Sequence, residues 1–193
     1  MTRPCDKPVA ESIGWDPTAR QLLFDSKWFR LHRDTLRVPP GGQSIDYHYV
    51  IHPGSVVVAP ITSAGEVILI ESYRYPIDRW CWELPAGRLE PSVPPEVVAR
   101  TELQEEIGAT CRDLEHLTTL QIANGFADCP THFFLATGIM LENESDREPG
   151  EHIRSIEALS IDDALARLTA ESQDGDSALG LLLATRAMKA ATT

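Results

Sequence analysis

The chain has 193 residues, a length that suits one domain, or one domain with a small appended unit. Hydrophobic residues make up 42% and charged residues 24%, as in ordinary globular proteins, so folding requires no disulfide or metal staple. Lys and Arg number 17 against 29 Asp and Glu, and the resulting charge of −12 argues against nucleic acid or an anionic membrane surface as the partner.

No apolar run reaches the length of a membrane span. The most apolar stretch, 49–61, is interrupted by His52, Pro53, Gly54 and Pro60. The first residues, MTRPCDKPVAESIG, lack the apolar centre of a secretory signal. Cys5, Cys81, Cys111 and Cys129 lie far apart and form no CxxC pair. Free thiols in a reducing, cytoplasmic setting are therefore expected, rather than a disulfide frame or a zinc site.

In chain order, strands are expected over 21–24, 28–38 and 44–51. The turn chemistry of Pro39-Pro40-Gly41-Gly42 makes a hairpin of the last two. Strands over 55–61 and 66–73 flank Thr62-Ser63-Ala64-Gly65, which predicts a second hairpin, and a short strand over 80–84 ends at Pro85. Pro94 and Pro95 open a helix over 94–107 and Gly108 stands just past its end. Strands follow over 115–123 and 132–137, then an acidic loop over 142–151. A strand over 152–159 and helices over 161–168 and 177–188 complete an α+β pattern. The expected division is a β-rich region over 1–53 and a larger domain over 54–193.

The helix carries the most informative residues. Glu102 and Glu106 are four apart, Glu102 and Glu105 three apart, so the three carboxylates share one side. Leu103, Ile107 and Val97 are expected to anchor the opposite side in the core. Like charges at this spacing oppose each other by about a few tenths of a kcal/mol per pair. The last turn of a helix also disfavours anions. A divalent cation reverses both penalties, and Mg²⁺ fits because it takes hard oxygen ligands and shares its sphere with phosphates. A solvated acidic face is the alternative reading of the same spacing.

The surroundings discriminate between the two. The run 87–109 resembles the Nudix box: Gly87 opens it, Glu102-Leu103 and Glu105-Glu106 fall in register, and Gly108 closes it. The preceding Trp82-Glu83-Leu84-Pro85-Ala86-Gly87-Arg88-Leu89-Glu90 resembles the entry segment of the ADP-ribose pyrophosphatase branch. Tyr73-Arg74-Tyr75-Pro76, His52-Pro53-Gly54 and Gly125-Phe126 fall where that branch has similar features.

The resemblance implies a Nudix fold, a mixed β-sheet sandwiched by helices, with a small N-terminal antiparallel sheet. It implies hydrolysis of a nucleoside diphosphate linked to a sugar, with Mg²⁺, or Mn²⁺ as the alternative ion. Glu102, Glu105 and Glu106 are the implied catalytic and metal-binding residues, with the Ala86 carbonyl as a further ligand. Gly87, Arg74, Glu83, Trp28 and Tyr47 are the implied substrate residues. Arg74 is the candidate phosphate or ribose clamp, with a surface ion pair as the alternative. Glu83 either supports the site or pairs with an arginine. Trp28 and Tyr47 or Tyr49 are the aromatics available to stack on a base, with core packing as the alternative. A homodimer formed through the N-terminal sheet is also implied.

Several positions depart from the family pattern. Val93 stands where a Glu is expected and Thr101 where an Arg is expected, with Arg100 one place off. Asn124 replaces a Pro. Cys129 stands at a loop Glu, with no basic partner near it in the sequence. Asp128 or the loop acids Glu144, Asp146, Glu148 and Glu151 are the remaining candidates for a base. These departures motivate a second reading, a degenerate Nudix domain that binds a nucleotide or a protein with little turnover.

Overall fold

The computed structural model describes residues 7–141, 152–172 and 174–191. The acidic stretch 142–151, with its four candidate base residues, lies outside them, as does Cys5. In chain order the strands are β1 (Asp16–Asp25), β2 (Arg30–Val38), β3 (Gln43–Ile51), β4 (Ser55–Pro60), β5 (Val67–Arg74) and β6 (Arg79–Glu83). They continue with β7 (Ala86–Arg88), β8 (Ala109–Gln121), β9 (Ala127–Asp128), β10 (Pro130–Leu141) and β11 (Ile153–Leu159). The helices are α1 (Pro8–Ser12), α2 (Pro95–Ile107), α3 (Ile161–Ala166) and α4 (Gly175–Ala191), with a π-helical segment, Arg167–Ser172, following α3.

The chain forms two compact units, Met1–Pro53 with Ala123–Cys129, and Gly54–Ile122 with Pro130–Thr193. The first unit therefore borrows a short later segment. Its sheet runs β1-β2-β3-β9. The first three strands are an antiparallel meander, but β9 lies parallel to β3, so the sheet is mixed rather than purely antiparallel. On β2, alternate residues His32, Asp34 and Leu36 are buried, the period-two signature of a sheet covered on one face.

The second unit holds two sheets, β7-β4-β10-β8 and β11-β5-β6. The hairpin expected between 55–61 and 66–73 does not form. The turn itself closes, with Thr62 N–H donating to the Glu66 carbonyl at 2.8 Å, but β4 and β5 enter different sheets and meet only at an Ile61–Val67 bridge. The physical reason is that both strands are apolar on both faces, so each is used as an interior strand with its own neighbours. Val56 and Val58 pack with Leu103 and Phe134 in one core, whereas Val57 and Ala59 pack with Leu84, Phe133 and Leu181 in the other. Fully burying a Leu or Phe side chain is worth about 1.5–3 kcal/mol, so these two cores hold the unit together.

α2 lies in the first of these cores. Pro95 stands in its first turn, where a missing N–H costs nothing, and Gly108 ends it in the left-handed conformation at φ 60°. Leu103 and Ile107 are buried as expected, but Val97 is 50% exposed, and Val98 and Ala99 anchor the helix instead. The buried arc thus lies one residue further round than the expected anchor.

Candidate active site

The turn after β6 places the candidate residues of the second unit. Leu84 is fully buried, and its N–H donates to the Ser177 hydroxyl of α4 at 2.8 Å. The Pro85 carbonyl accepts from Val58 N–H at 2.9 Å. These contacts fix Leu84-Pro85 from two sides and set the start of β7. There the Ala86 N–H donates to Glu106 Oε2 at 2.9 Å. A β-carbon on Gly87 would fall 1.6 Å from Glu102 Oε1, so the Glu102 carboxylate occupies the space that any side chain at position 87 would take. Glu102 and Glu106 are both buried, at 9% and 4% exposure, and Glu105 is half-buried. The alternative reading, a solvated acidic face, is therefore not what α2 presents at Glu102 and Glu106. Both carboxylates point inward, against Gly87 and Ala86.

Arg74, at the end of β5, forks onto Glu83 at the end of β6. Its Nε donates to Glu83 Oε1 at 2.8 Å and Oε2 at 2.9 Å, and its Nη2 donates to Oε2. Both alternatives for Glu83 thus reduce to one geometry, a bidentate support for Arg74. The hydrogen bonds and charge of Glu83, with the charges of Glu106 and Asp174, hold the guanidinium protonated well above its ordinary value. Burial pushes the Glu83 carboxyl up, against the pull of Arg74, and Asp174 and Asp176 add like charge.

The departures from the box also have structural consequences. Arg100 turns to β8, where its Nη1 donates to the Cys111 carbonyl at 2.8 Å and to Cys111 Sγ at 3.1 Å. Val93 packs against the core beside α2. Among the described residues no three His, Cys, Asp or Glu side chains already converge as a metal cage. The donor set nevertheless suits a hard cation. Mg²⁺ keeps several waters and takes one or two protein carboxylates beside substrate phosphates, and does not need an all-protein cage.

Trp28 and Tyr47 lie in the first unit. Trp28 sits in the β1–β2 turn, half exposed, with the Lys27 ammonium 4.5 Å from its ring centre. Tyr47 lines a pocket of about 290 Å³ together with Trp15, Tyr49, Phe126, Asp34 and Lys7, and its hydroxyl donates to the Gly125 carbonyl at 3.2 Å. Tyr49 is buried, and its hydroxyl donates to Asp34 Oδ2. The structure therefore separates Tyr47, at a pocket, from Trp28, at a turn. It also corrects the reading of Cys129: a basic partner is present, His52, with Nδ1 3.3 Å from Cys129 Sγ. The sequence gives no sign of this pair, because 77 positions separate its members. His132 hydrogen-bonds Thr119 at 2.9 Å, as a packed histidine would.

Residues 51–178 match a model described as the NUDIX domain. The chain belongs to the Nudix family. Three curated proteins are among those similar to it. A methanol dehydrogenase activator from Bacillus methanolicus is 35% identical over 146 residues, 75% of this chain and 78% of that protein. An ADP-ribose pyrophosphatase from Bacillus subtilis (strain 168) is 34% identical over 148 residues, 76% of this chain and 79% of that protein. An ADP-ribose pyrophosphatase from Mycobacterium tuberculosis is 37% identical over 126 residues, 65% of this chain and 60% of that protein. Among solved structures, the crystal structure of an ADP compounds hydrolase superposes with a TM-score of 0.77, covering 91% of this chain and 95% of that one. At 19% identity that likeness establishes the fold, a Nudix α+β fold.

Proposed function

We propose that this Nudix protein hydrolyses the diphosphate linkage of ADP-ribose or a related nucleoside diphosphate sugar, releasing a nucleoside monophosphate and a sugar phosphate. The observation that carries the reading is the pair of inward carboxylates, Glu102 against Gly87 and Glu106 on the Ala86 N–H. The names of the pyrophosphatase relatives support the substrate class.

Charge explains the need for a metal. The first unit carries seven basic and seven acidic residues, the second ten basic and twenty-two acidic, so the whole formal charge of −12 falls on the second. An anionic diphosphate is repelled there unless a cation intervenes. Glu102 and Glu106, assisted by Glu105 and the Ala86 carbonyl, would hold Mg²⁺ or Mn²⁺. Bound there, such an ion would supply positive charge against the diphosphate and would make a water more acidic. Glu106, held by the Ala86 N–H, and Glu102, seated against Gly87, enter that role already oriented, so little side-chain ordering remains to be done on binding. Arg74 meets an anionic oxygen through Nη1, because Glu83 occupies its Nε and Nη2. Tyr47 offers an aromatic face at the first-unit pocket for a base.

Residues 54–193 form the hydrolase part in this reading, and 1–53 the dimer-forming part. Exposed Leu22, Leu23 and Phe24 on β1 support a homodimer. Free thiols at Cys81, Cys111 and Cys129 suit the cytoplasm, and no helix of the described residues is long and apolar enough to cross a membrane.

A second reading, a nucleotide- or protein-binding Nudix domain with little turnover, is favoured by one observation. Arg100 is engaged at Cys111, and no arginine directly precedes Glu102. A panel of nucleoside diphosphate compounds, with nucleoside monophosphate release read with and without Mg²⁺ or Mn²⁺, decides between the two. Metal-dependent release from ADP-ribose supports the hydrolase, and tight binding with no product supports the binding module.

A further inference from the structure

The Cys129–His52 contact follows from strand register. β9 runs parallel to β3, with Val50 beside Ala127 and Ile51 beside Asp128, and His52 N–H donates to the Asp128 carbonyl at 3.0 Å. The next residue on each segment is therefore His52 and Cys129. Each is followed by a proline, Pro53 and Pro130, whose ring keeps the preceding residue extended. The imidazole and the thiol are held side by side, at 3.3 Å, before any reagent arrives. Cys81 and Cys111 are buried, whereas Cys129 is only half-buried.

We infer that Cys129 is a reactive thiol activated by His52, a modification site for soft electrophiles and hydroperoxides, separate from phosphate chemistry. The imidazole, with its own proton on Nε2, takes the thiol proton on Nδ1, and the resulting thiolate beside the imidazolium is the nucleophile. With an alkyl iodide, the Sγ–carbon bond forms as the carbon–iodine bond breaks and iodide leaves. With a hydroperoxide, Sγ bonds to the terminal oxygen, the O–O bond breaks, and the leaving oxygen takes the proton from Nδ1. The thiol is oxidised to a sulfenic acid and the peroxide is reduced to an alcohol or, for hydrogen peroxide, to water.

The test is the rate of iodoacetamide labelling of the full chain at each cysteine, followed by peptide mass spectrometry, with N-acetylcysteine in the same tube as reference. At about pH 6 an ordinary thiol, with pKa about 8.5, is almost wholly protonated. Cys129 is expected to label about tenfold faster than the reference, with Cys81 and Cys111 slower. His52→Asn should bring Cys129 down to the reference rate. Equal rates for Cys129 and the reference, or a Cys129 rate unchanged in His52→Asn, overturn the inference. A second measurement needs no His52 variant: the ultraviolet thiolate absorbance lost in Cys129→Ser at the same pH. Its presence in the native chain supports the pair, and its absence contradicts it.

Discussion

Glu102 sits where a side chain on residue 87 would have to be: its Oε1 is 1.6 Å from the position of a β-carbon on Gly87. The glycine that opens the Nudix box is thus a cradle for a carboxylate on α2, the next element along the chain. Gly87→Ala leaves the backbone strain-free but pushes the Glu102 carboxylate aside. Because the displaced atoms are the end of a flexible side chain, the stability loss should be small, about 1 kcal/mol. The hydrolysis rate should fall far more, about a hundredfold, since the donor is moved by more than an ångström. Thermal unfolding beside kcat/KM for ADP-ribose measures both. A loss of stability with full activity contradicts the cradle.

Arg74 and Glu83 give a pH prediction. Burial raises the Glu83 carboxyl, and a carboxyl raised in the folded state adds stability below its unfolded pKa that is lost as pH rises through the folded value. Arg74 opposes that loss. In Arg74→Ala, Glu83 is left without its fork, so the deficit relative to the native chain should be small in acid and grow towards neutral pH. It should reach about 1–3 kcal/mol, less than for a fully buried pair because Arg74 is half exposed. Denaturant unfolding across pH checks the sign. Arg74→Lys, which keeps charge but not the fork, should raise KM more than it lowers kcat.

Asp34 in the first unit has the opposite sign. Burial pushes its carboxyl up, but hydrogen bonds and charge from Arg20, a hydrogen bond from Tyr49, and Lys7 outweigh burial and hold it below its ordinary 3.8. Its contribution is present above that value and lost as pH falls through the folded pKa. Asp34→Asn should therefore destabilise the chain at neutral pH and flatten the loss of stability below about pH 4. Acid titration of the folded state of both proteins reads this directly. Parallel acid curves contradict it.

Ser177 ties α4 to the turn that carries Ala86 and Gly87. Ser177→Ala leaves the buried Leu84 N–H without an acceptor, at about 1–3 kcal/mol. Ser177→Thr should recover most of that loss, because it restores the hydroxyl. Equal unfolding midpoints for the native chain and Ser177→Ala would show that the Leu84 N–H finds another acceptor.

The legible parts of this chain were those written locally. Pro94, Pro95 and Gly108 marked the ends of α2, and the glutamate spacing placed Glu102 and Glu106 together on it. The hairpin between β4 and β5 was misleading for the same reason. Thr62-Ser63-Ala64-Gly65 is a genuine turn, but turn chemistry does not report which neighbour a strand chooses, and two-faced apolar strands choose interior places. β9 has two residues, too few for any periodicity, so the return of Ala123–Cys129 to the first unit left no mark in the pattern. The resemblance groups Ala86 and Gly87 with Glu102 and Glu106, but helix spacing alone does not show that both carboxylates turn inward, because that depends on the packing of β7 against α2.

The most direct measurement is ADP-ribose turnover by Glu106→Gln, set beside the native chain with Mg²⁺ and with a chelator. Glutamine keeps an oxygen for the Ala86 N–H, so the variant should unfold at the native midpoint. It loses the charge, so turnover should fall about a hundredfold or more, and the chelator should abolish native turnover. Native rates in both the variant and the chelated enzyme would contradict the metal-centred account of this site.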